Sequence, residues 1–262
     1  MKISKRKVWK IALVILLMVV MYMTMSKFHT TLCTSIDISI IDSSETKFID
    51  QNMVLDLVYQ DQPDDVLGHA LDSININLIE QRLTSHPFIR HASIYKTISG
   101  KLKVDVVQRY PVLMIINREG QEYYIDSDGM IFPTSDRYSS LVIVANGNIK
   151  EKFDFSKGQI YKVDLTEKKN KTTADLFKLA QLIQKDDFWR DQIEQIYVNN
   201  LGEYELVPML GPQILALGTI EDYDRKMYIL KEFYFQGMRK TGWNTYKLIS
   251  VKYKNQIVCK RF

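Results

Sequence analysis

The sequence has few of the residues that build metal sites and disulfide scaffolds. Its 262 residues include only 2 cysteines and 4 histidines, and the histidines show no HxH or HExxH spacing, so we predict no zinc site. Motifs for a nucleophilic serine, a phosphate-binding loop or a dinucleotide-binding turn are absent as well. No low-complexity stretch or solenoid repeat divides the chain. We therefore expect a folded protein that is not an enzyme and needs no cofactor.

The composition is that of an ordinary globular protein, with 46% hydrophobic and 25% charged residues, which argues against disorder. The net charge of +4 is unevenly distributed along the chain. Residues 1–27 carry +6, residues 28–232 carry −9, and residues 233–262 carry +7 without a single acidic residue. Because the basic excess lies in two separate segments, the composition does not predict a nucleic-acid-binding protein.

One long apolar run stands near the start of the sequence. Residues 11–25 carry no charge, and with their apolar neighbours they form a helix of about 31 Å, close to the thickness of a hydrocarbon core. We predict a transmembrane helix at residues 11–27. A cleaved signal peptide is the competing interpretation, but no small-x-small cleavage site follows the run.

The charges around this run predict the topology. Five positive residues precede it and one follows it, so the positive-inside rule places the tail, residues 1–10, in the cytoplasm and the rest of the chain outside. Cys33 and Cys259 would then lie in an oxidising compartment. We expect two free thiols, because a bridge between them would tie the C-terminal segment to the membrane.

A small α+β pattern follows the apolar run. We predict a strand at 36–40, a helix after Asp50, a polar loop around Pro63, and a helix with Asn77 and Glu80 as its N-terminal cap pair. A hairpin of strands is predicted at 89–96 and 101–109. Two helices can cover one face of such a three-stranded sheet, which gives a small α+β domain at residues 34–110.

From Pro111 onward the pattern is dominated by strands. They are predicted at 112–116, 122–125, 130–132, 141–145, 193–198, 204–207, 213–217, 246–253 and 256–260. Two helices interrupt them, one with a capping box of Thr172 and Asp175, the other from about Ile220 to Lys240 with Thr219 as its N-cap. The run Asp126-Ser127-Asp128-Gly129 imitates the opening of a calcium loop. Since the closing Glu is missing, we predict a hairpin turn there.

Two runs of residues resemble the FtsQ/DivIB family of bacterial cell-division proteins. The first extends from Leu78 through His86-Pro87-Phe88-Ile89 to Arg109-Tyr110-Pro111-Val112, and resembles the end of the family's POTRA domain and its entry into the β domain. The second, Tyr124-Ile125-Asp126 with Gly129 to Phe132, is similar to a hairpin of that β domain. The loop near residues 60–75 departs from the family pattern.

This resemblance implies an α+β fold in three parts: a single N-terminal transmembrane helix, a small POTRA-like α+β domain, and a larger strand-rich β domain at 111–262 with two flanking helices. It also implies a non-enzymatic bitopic scaffold at the division septum that binds small bitopic division proteins of the FtsB and FtsL type. The POTRA-like domain would contribute to septal recruitment. A POTRA-bearing accessory of envelope protein assembly or secretion is the alternative, and an anchored cell-wall enzyme would need a catalytic pocket that we do not find.

The last strands are the expected partner-binding site. An edge strand has unpaired backbone groups that can template an incoming strand, although edge lysines also commonly guard against aggregation. Both interpretations fit the basic C-terminal segment, and the resemblance favours docking. The candidate partner-binding residues are Tyr246, Lys252, Tyr253, Lys254, Gln256, Ile257 and Val258, with Lys252 and Lys254 available to acidic side chains.

Overall fold

The computed structural model describes residues 5–41, 47–60, 66–166, 170–254 and 256–262. Residues 1–4 of the predicted cytoplasmic tail and residues 61–65 of the predicted polar loop around Pro63 and Gly68 lie outside the described residues. The chain divides into two compact units, Met1–Gln108 and Arg109–Phe262.

The first unit is a three-stranded sheet with helices on one face. Its elements are α1 (Lys5–Thr30), β1 (Ser35–Ile41), α2 (Gln51–Tyr59), a 3₁₀ turn (Leu71–Ser73), α3 (Ile76–Thr84), β2 (Ile89–Lys96) and β3 (Lys101–Gln108). The sheet order is β1-β3-β2, with β1 parallel and β2 antiparallel to β3. Buried side chains of α2 and α3 join those of β2 and β3 in one core, as the sequence predicts.

Helix α1 contains the apolar run. The large apolar side chains between Trp9 and Met23 are all exposed. Within the described residues, we find no helix whose length and apolar character suffice to cross a membrane.

Side chains fix the ends of the two helices that cover the sheet. Asp50 caps α2 by accepting a hydrogen bond from the Met53 N–H at 2.7 Å. The predicted cap of α3 is wrong by two residues, because Asn75 rather than Asn77 accepts from a backbone N–H of the first turn. Glu80 does not reach back to that cap, since its carboxylate accepts from the Ile94 N–H of β2 at 2.7 Å. The helix is thereby tied directly to the sheet.

The second unit contains ten described strands in one sheet. Its elements are β4 (Pro111–Ile116), β5 (Glu122–Asp126), β6 (Met130–Pro133), β7 (Ile143–Gly147), β8 (Tyr161–Lys162), α4 (Lys171–Lys185), α5 (Asp187–Arg190), β9 (Ile193–Val198), β10 (Tyr204–Pro208), β11 (Ile214–Gly218), α6 (Tyr223–Phe233), a π-helical turn (Tyr234–Met238), α7 (Arg239–Thr241), β12 (Tyr246–Ser250) and β13 (Val258–Arg261). The order across the sheet is β13-β12-β11-β10-β9-β7-β4-β5-β6-β8. Side chains of α4, α5 and α6 share one core with the sheet.

Strand β7 joins two halves of this sheet, one made of β4, β5, β6 and β8 and the other made of β9 to β13. It lies between β4 and β9 and runs parallel to both, so it does not continue the preceding hairpins. It begins at Ile143, two residues later than predicted, and Leu141 is fully exposed. Gly147 has φ +105°, and a Cβ there would lie 2.2 Å from the Val198 carbonyl oxygen. Only glycine fits this close approach of two strands.

The helix starts differ from the capping patterns that predict them. Helix α4 begins at Lys171, and the Thr172 N–H donates to Glu151 Oε1 at 2.9 Å, so the cap comes from a distant residue. Asp175 instead accepts a hydrogen bond from the Tyr204 hydroxyl. Helix α6 begins at Tyr223, three residues after the predicted start, because Asp222 adopts a left-handed conformation with φ 52°. The capping box predicted at Thr172 and the N-cap predicted at Thr219 are therefore wrong.

Candidate functional site: the C-terminal edge of the sheet

Strand β13 is the last strand of the large sheet on its C-terminal side. It pairs antiparallel with β12, with Ile249 opposite Cys259 and Leu248 opposite Lys260. The described neighbours of β13 within the sheet lie on the β12 side alone, so its other side forms an edge, as the sequence predicts for a terminal strand. We call Val258–Arg261 the docking edge. An open edge of this kind can accept an added strand through backbone hydrogen bonds.

The crossover through α6 places this edge. Strands β11 and β12 are parallel neighbours, and a parallel pair needs a crossover rather than a hairpin. Helix α6 and the π-helical turn supply that crossover and end at Gly242, whose φ is +86°. Phe233 then packs against Tyr246 of β12, with ring centroids 5.9 Å apart. The helix thus supports the strand next to the edge.

Most of the predicted partner-binding residues precede the docking edge rather than lying in it. Tyr246 is on β12 and pairs with Arg261. Lys252, Tyr253, Lys254, Gln256 and Ile257 fall between β12 and β13, and Val258 alone is in the edge strand. The strand predicted at 246–253 therefore ends earlier, at Ser250. The strand predicted at 256–260 begins later, at Val258. Cys259, Lys260 and Arg261 are the edge residues that the sequence-based candidates omit.

Lys252 has a partner within the chain. Its Nζ forms an ion pair with Glu203, and that hydrogen bond and charge raise the pKa of Lys252 above its ordinary value. Lys252 is nevertheless exposed, so its availability to acidic partner residues stays a prediction. Lys254 is exposed, and Tyr253 is 53% exposed. Lys252, Tyr253 and Lys254 thus form an exposed stretch of chain before the docking edge.

A cleft of about 220 Å³ lies beside this segment. Its lining includes Glu221, Asp222, Arg225, Lys226, Lys252 and Lys254. Burial lowers the pKa of Lys226, although Asp222, Glu221 and Glu203 act against this. The Lys226 Nζ donates to the Thr219 carbonyl at 2.8 Å. Charges of both signs line the cleft, so its own residues compensate part of its positive charge.

A buried ion pair holds the start of the second unit. Arg109 and Asp126 are 5% and 2% exposed, and the Arg109 Nη1 lies 2.5 Å from Asp126 Oδ2. The other oxygen, Asp126 Oδ1, accepts from the backbone N–H groups of Asp128 and Met130. Asp126 thereby shapes the predicted hairpin turn. The pair also brings together the two sequence runs that carry the family resemblance.

The remaining chemistry of the described residues is limited. Cys33 and Cys259 are free thiols, as expected, and burial raises the pKa of both. Among the described residues, no group of three or more His, Cys, Asp or Glu side chains is placed to hold a metal ion.

The first unit defines the class of the protein. Residues 31–107 match the model of the POTRA-like domain, and in this chain that domain precedes a sheet that ends in an open edge. The protein thus carries a POTRA-like domain followed by a strand-rich second unit. Residues 110–260 match the family model FtsQ/DivIB, C-terminal related. The chain belongs to this family, which confirms the resemblance seen in the sequence.

Two curated relatives are similar to most of this chain. Over 196 residues it is 28% identical to the cell division protein FtsQ of Rhodothermus marinus, covering 73% of this chain and 67% of the relative. Over 154 residues it is 26% identical to the cell division protein DivIB of Clostridium tetani, covering 59% of this chain and 55% of the relative. The chain thus spans little more than half the length of that DivIB.

Proposed function

We propose that this protein is a non-enzymatic scaffold of bacterial cell division that binds a partner by strand addition to the docking edge. The observation that carries the proposal is the position of β13 at the end of the sheet. Its family membership and the division proteins among its relatives support the cellular role. Strand addition uses backbone hydrogen bonds for affinity and neighbouring side chains for specificity.

The partners we propose are small bitopic division proteins of the FtsB and FtsL type. The +7 charge of residues 233–262 favours a partner segment with carboxylates, because opposite charges accelerate encounter and disfavour wrong partners. Lys260 and Arg261 in the edge and Lys254 shortly before it are exposed cations. Tyr253, Gln256, Ile257 and Val258 would flank the added strand, and Tyr246 would support it from β12.

We also propose a bitopic arrangement at the septum. In this arrangement residues 1–10 are cytoplasmic, 11–27 cross the inner membrane once, and 34–110 and 111–262 form the POTRA-like and β domains outside. The uncharged run of residues 11–25 and the exposed apolar side chains of α1 support it, because exposed apolar surface of this extent is costly in water. The POTRA-like domain would bind other division components during recruitment.

Photo-cross-linking in cells tests the docking edge. We place p-benzoylphenylalanine at Lys260 of the full chain and, as a matched control, at Lys162 of β8, an exposed lysine at the opposite end of the sheet. We expect an adduct with an FtsB-like protein from position 260 and none from position 162. Adducts of equal yield from both positions, or none from 260, would argue against strand addition at this edge.

Charge reversal separates docking from protection against aggregation. We expect Lys254→Glu to reduce co-purification of the FtsB-like protein, whereas Lys162→Glu leaves it unchanged. If Lys254→Glu instead causes aggregation and leaves co-purification intact, the lysine guards the edge and the docking proposal fails. Depletion of the protein should produce filaments, while an envelope-assembly defect with normal septa would favour the alternative function.

A further inference from the structure

The chain that follows helix α1 is bonded at once to a loop of the first unit. Helix α1 ends at Thr30, and Leu32 forms an antiparallel bridge with Ala70. One residue further on, the Cys33 carbonyl accepts a hydrogen bond from the Gly68 N–H at 2.8 Å. The loop that precedes the 3₁₀ turn is therefore fixed next to the end of α1.

The turn between β2 and β3 lies against the same segment. The backbone N–H and the hydroxyl of Thr34 both donate to the Gly100 carbonyl, at 2.8 and 3.1 Å. A Cβ at Gly100, whose φ is +83°, would lie 2.8 Å from the Leu32 carbonyl oxygen, so only glycine fits. Since β3 pairs in parallel with β1 and antiparallel with β2, the start of β1, the start of β3 and the end of β2 share one end of the sheet. We call it the α1-proximal end.

Three apolar side chains are exposed at the α1-proximal end. We call Leu32, Leu67 and Ile98 the apolar rim, and they are 52%, 39% and 84% exposed. Cys33 is buried beside Leu32, as expected where successive side chains of an extended chain point to opposite sides. Single exposed apolar residues are common in soluble proteins. These three, however, come from separate segments joined by the backbone bonds just described, and exposed apolar residues grouped in this way mark contact sites.

The position of the rim relative to α1 indicates lipid as its contact. The predicted span ends at residue 27, and three helical residues and two further residues separate it from Leu32, which is at most about 12 Å of chain. The headgroup layer of a bilayer is itself about 5–8 Å thick. Even a straight path perpendicular to the membrane therefore leaves Leu32 only about 4–7 Å beyond that layer, and any tilt brings it closer.

The charges around the rim nearly cancel. Residues 27–35, 61–73 and 96–101 carry three basic and four acidic side chains: Lys27, Lys96, Lys101, Asp61, Asp64, Asp65 and Asp72. A net charge of −1 provides no attraction to anionic lipid, which basic segments require. The rim therefore depends on apolar contact, and a zwitterionic phospholipid is sufficient for it.

We propose that the apolar rim contacts the phospholipid surface of the membrane that α1 crosses. The inference rests on the proposed bitopic arrangement, because α1 brings the rim to that surface. An apolar face at this depth lies at the boundary between headgroups and acyl chains. The strands of the first unit then lead away from the membrane, and Ile41 at the far end of β1 lies about 20 Å further along the strand than Ser35.

Depth-dependent quenching in vesicles tests this contact. We place the fluorescent amino acid Anap at Ile98 of the full chain in phosphatidylcholine vesicles, and at Ile41 as a matched control. Ile41 is 55% exposed and lies at the opposite end of β1. A phospholipid with a nitroxide near the headgroup end of its acyl chain should quench position 98 severalfold more than position 41. Aqueous iodide should show the reverse preference.

A charge in the rim should weaken the contact. With Anap at Leu67, we expect Ile98→Asp to reduce quenching by the lipid nitroxide severalfold, because a carboxylate is costly to remove from water. Ile41→Asp is the matched control and should leave the quenching unchanged. Ile98 lies in an exposed turn, and circular dichroism checks that the variant stays folded. Unchanged quenching in Ile98→Asp would overturn the proposal.

A third probe position separates this proposal from the bitopic arrangement. Anap at Leu16, an exposed position of α1, should be quenched by a nitroxide placed deeper in the acyl chain. Quenching at 16 with equal behaviour of positions 98 and 41 overturns the lipid contact and leaves the bitopic arrangement intact. Absence of quenching at 16 overturns both. The docking edge is tested independently from position 260.

Cross-linking in cells distinguishes lipid from a protein contact. We place p-benzoylphenylalanine at Ile98 of the full chain and expect no protein adduct that is absent with the probe at Ile41. A specific protein adduct from position 98, together with no preference of the lipid nitroxide for that position in vesicles, would show that the rim binds a protein and would overturn the lipid contact.

Discussion

At the scale of single residues, the Arg109 and Asp126 pair is the clearest case of a sequence signal explained by a contact. Both side chains are almost fully buried, and each charge has the other as its partner. Burial of charges costs several kcal/mol per ion, and the geometry and additional hydrogen bonds of the pair offset that cost. Asp126 also accepts two turn N–H groups. Its two oxygens therefore serve a structural role at the start of the second unit.

This contact predicts a large effect of a small substitution. Asp126→Asn keeps the Oδ1 acceptor for the turn but removes the carboxylate charge that lies against the buried Arg109 guanidinium. We expect the free energy of unfolding to fall by about 3–5 kcal/mol, measured by urea denaturation. Asp136→Asn, at an exposed position, is the control and should change it by less than about 0.5 kcal/mol. Equal stability of the two variants would show that the pair does not stabilise this unit.

At the scale of elements, the π-helical turn connects α6 to the strand that supports the docking edge. Gly237 lies in this turn, and a Cβ there would lie 2.8 Å from the Phe233 ring. The same ring packs on Tyr246 of β12. Gly237 therefore allows Phe233 to lie between the turn and the strand.

Gly237→Ala tests this arrangement. The added methyl group must displace the Phe233 ring, and overpacking of this kind costs about 1–3 kcal/mol. We expect the free energy of unfolding to fall by that amount. In a double-mutant cycle, Phe233→Leu should make the Gly237→Ala substitution less costly, because the smaller side chain makes room for the methyl group. Additive effects of the two substitutions would contradict the proposed contact.

Elements with a long periodic pattern could be predicted from the sequence, whereas short ones and distant contacts could not. The strands of the first unit and the turn after β5 follow from period-2 alternation and glycine placement. Strand β8 and helix α5 have two and four residues, too few to show a period. The cap of α4 comes from Glu151, twenty residues before the helix. A local sequence motif does not indicate a contact at that distance.

The sequence predicts that the candidate site is a terminal edge strand, but it does not predict which residues form that strand. The basic, acid-free C-terminal segment and its final strand indicate an edge, and the sheet order places β13 at the end of the sheet. The exact strand limits depend on where β12 and β13 meet across a β-bulge. The ion pair of Lys252 with Glu203 depends on the turn between β9 and β10, far away in sequence.

At the scale of the whole molecule, charge separates the chain into segments with different expected roles. The positive start and the positive last thirty residues flank a central segment of −9. In the proposed function, the first segment sets topology and the last attracts a partner. The overall charge of +4 represents neither segment.

This distribution predicts how partner binding responds to salt. We expect the association rate of the protein captured from position 260 to fall severalfold between 50 and 500 mM salt, because screening weakens attraction between exposed charges. Stopped-flow measurements on the full chain would give this rate, with the Arg239→Glu and Lys240→Glu variant as comparison. That variant should be less sensitive to salt. A rate independent of salt would show that the basic segment does not steer the partner.

The position of β7 also has a consequence for how the second unit folds. The strands on either side of it include hairpins formed from residues close in sequence, such as β4 with β5 and β9 with β10. Strand β7 instead pairs in parallel with β4 and β9 across stretches of chain that contain other strands and helices, and such non-local parallel pairings form slowly. The two halves of the sheet can each begin to form early, but they become one cooperative structure only when β7 enters between them. The docking edge lies beyond β9 and depends on a second pairing of this kind, the parallel contact of β11 with β12.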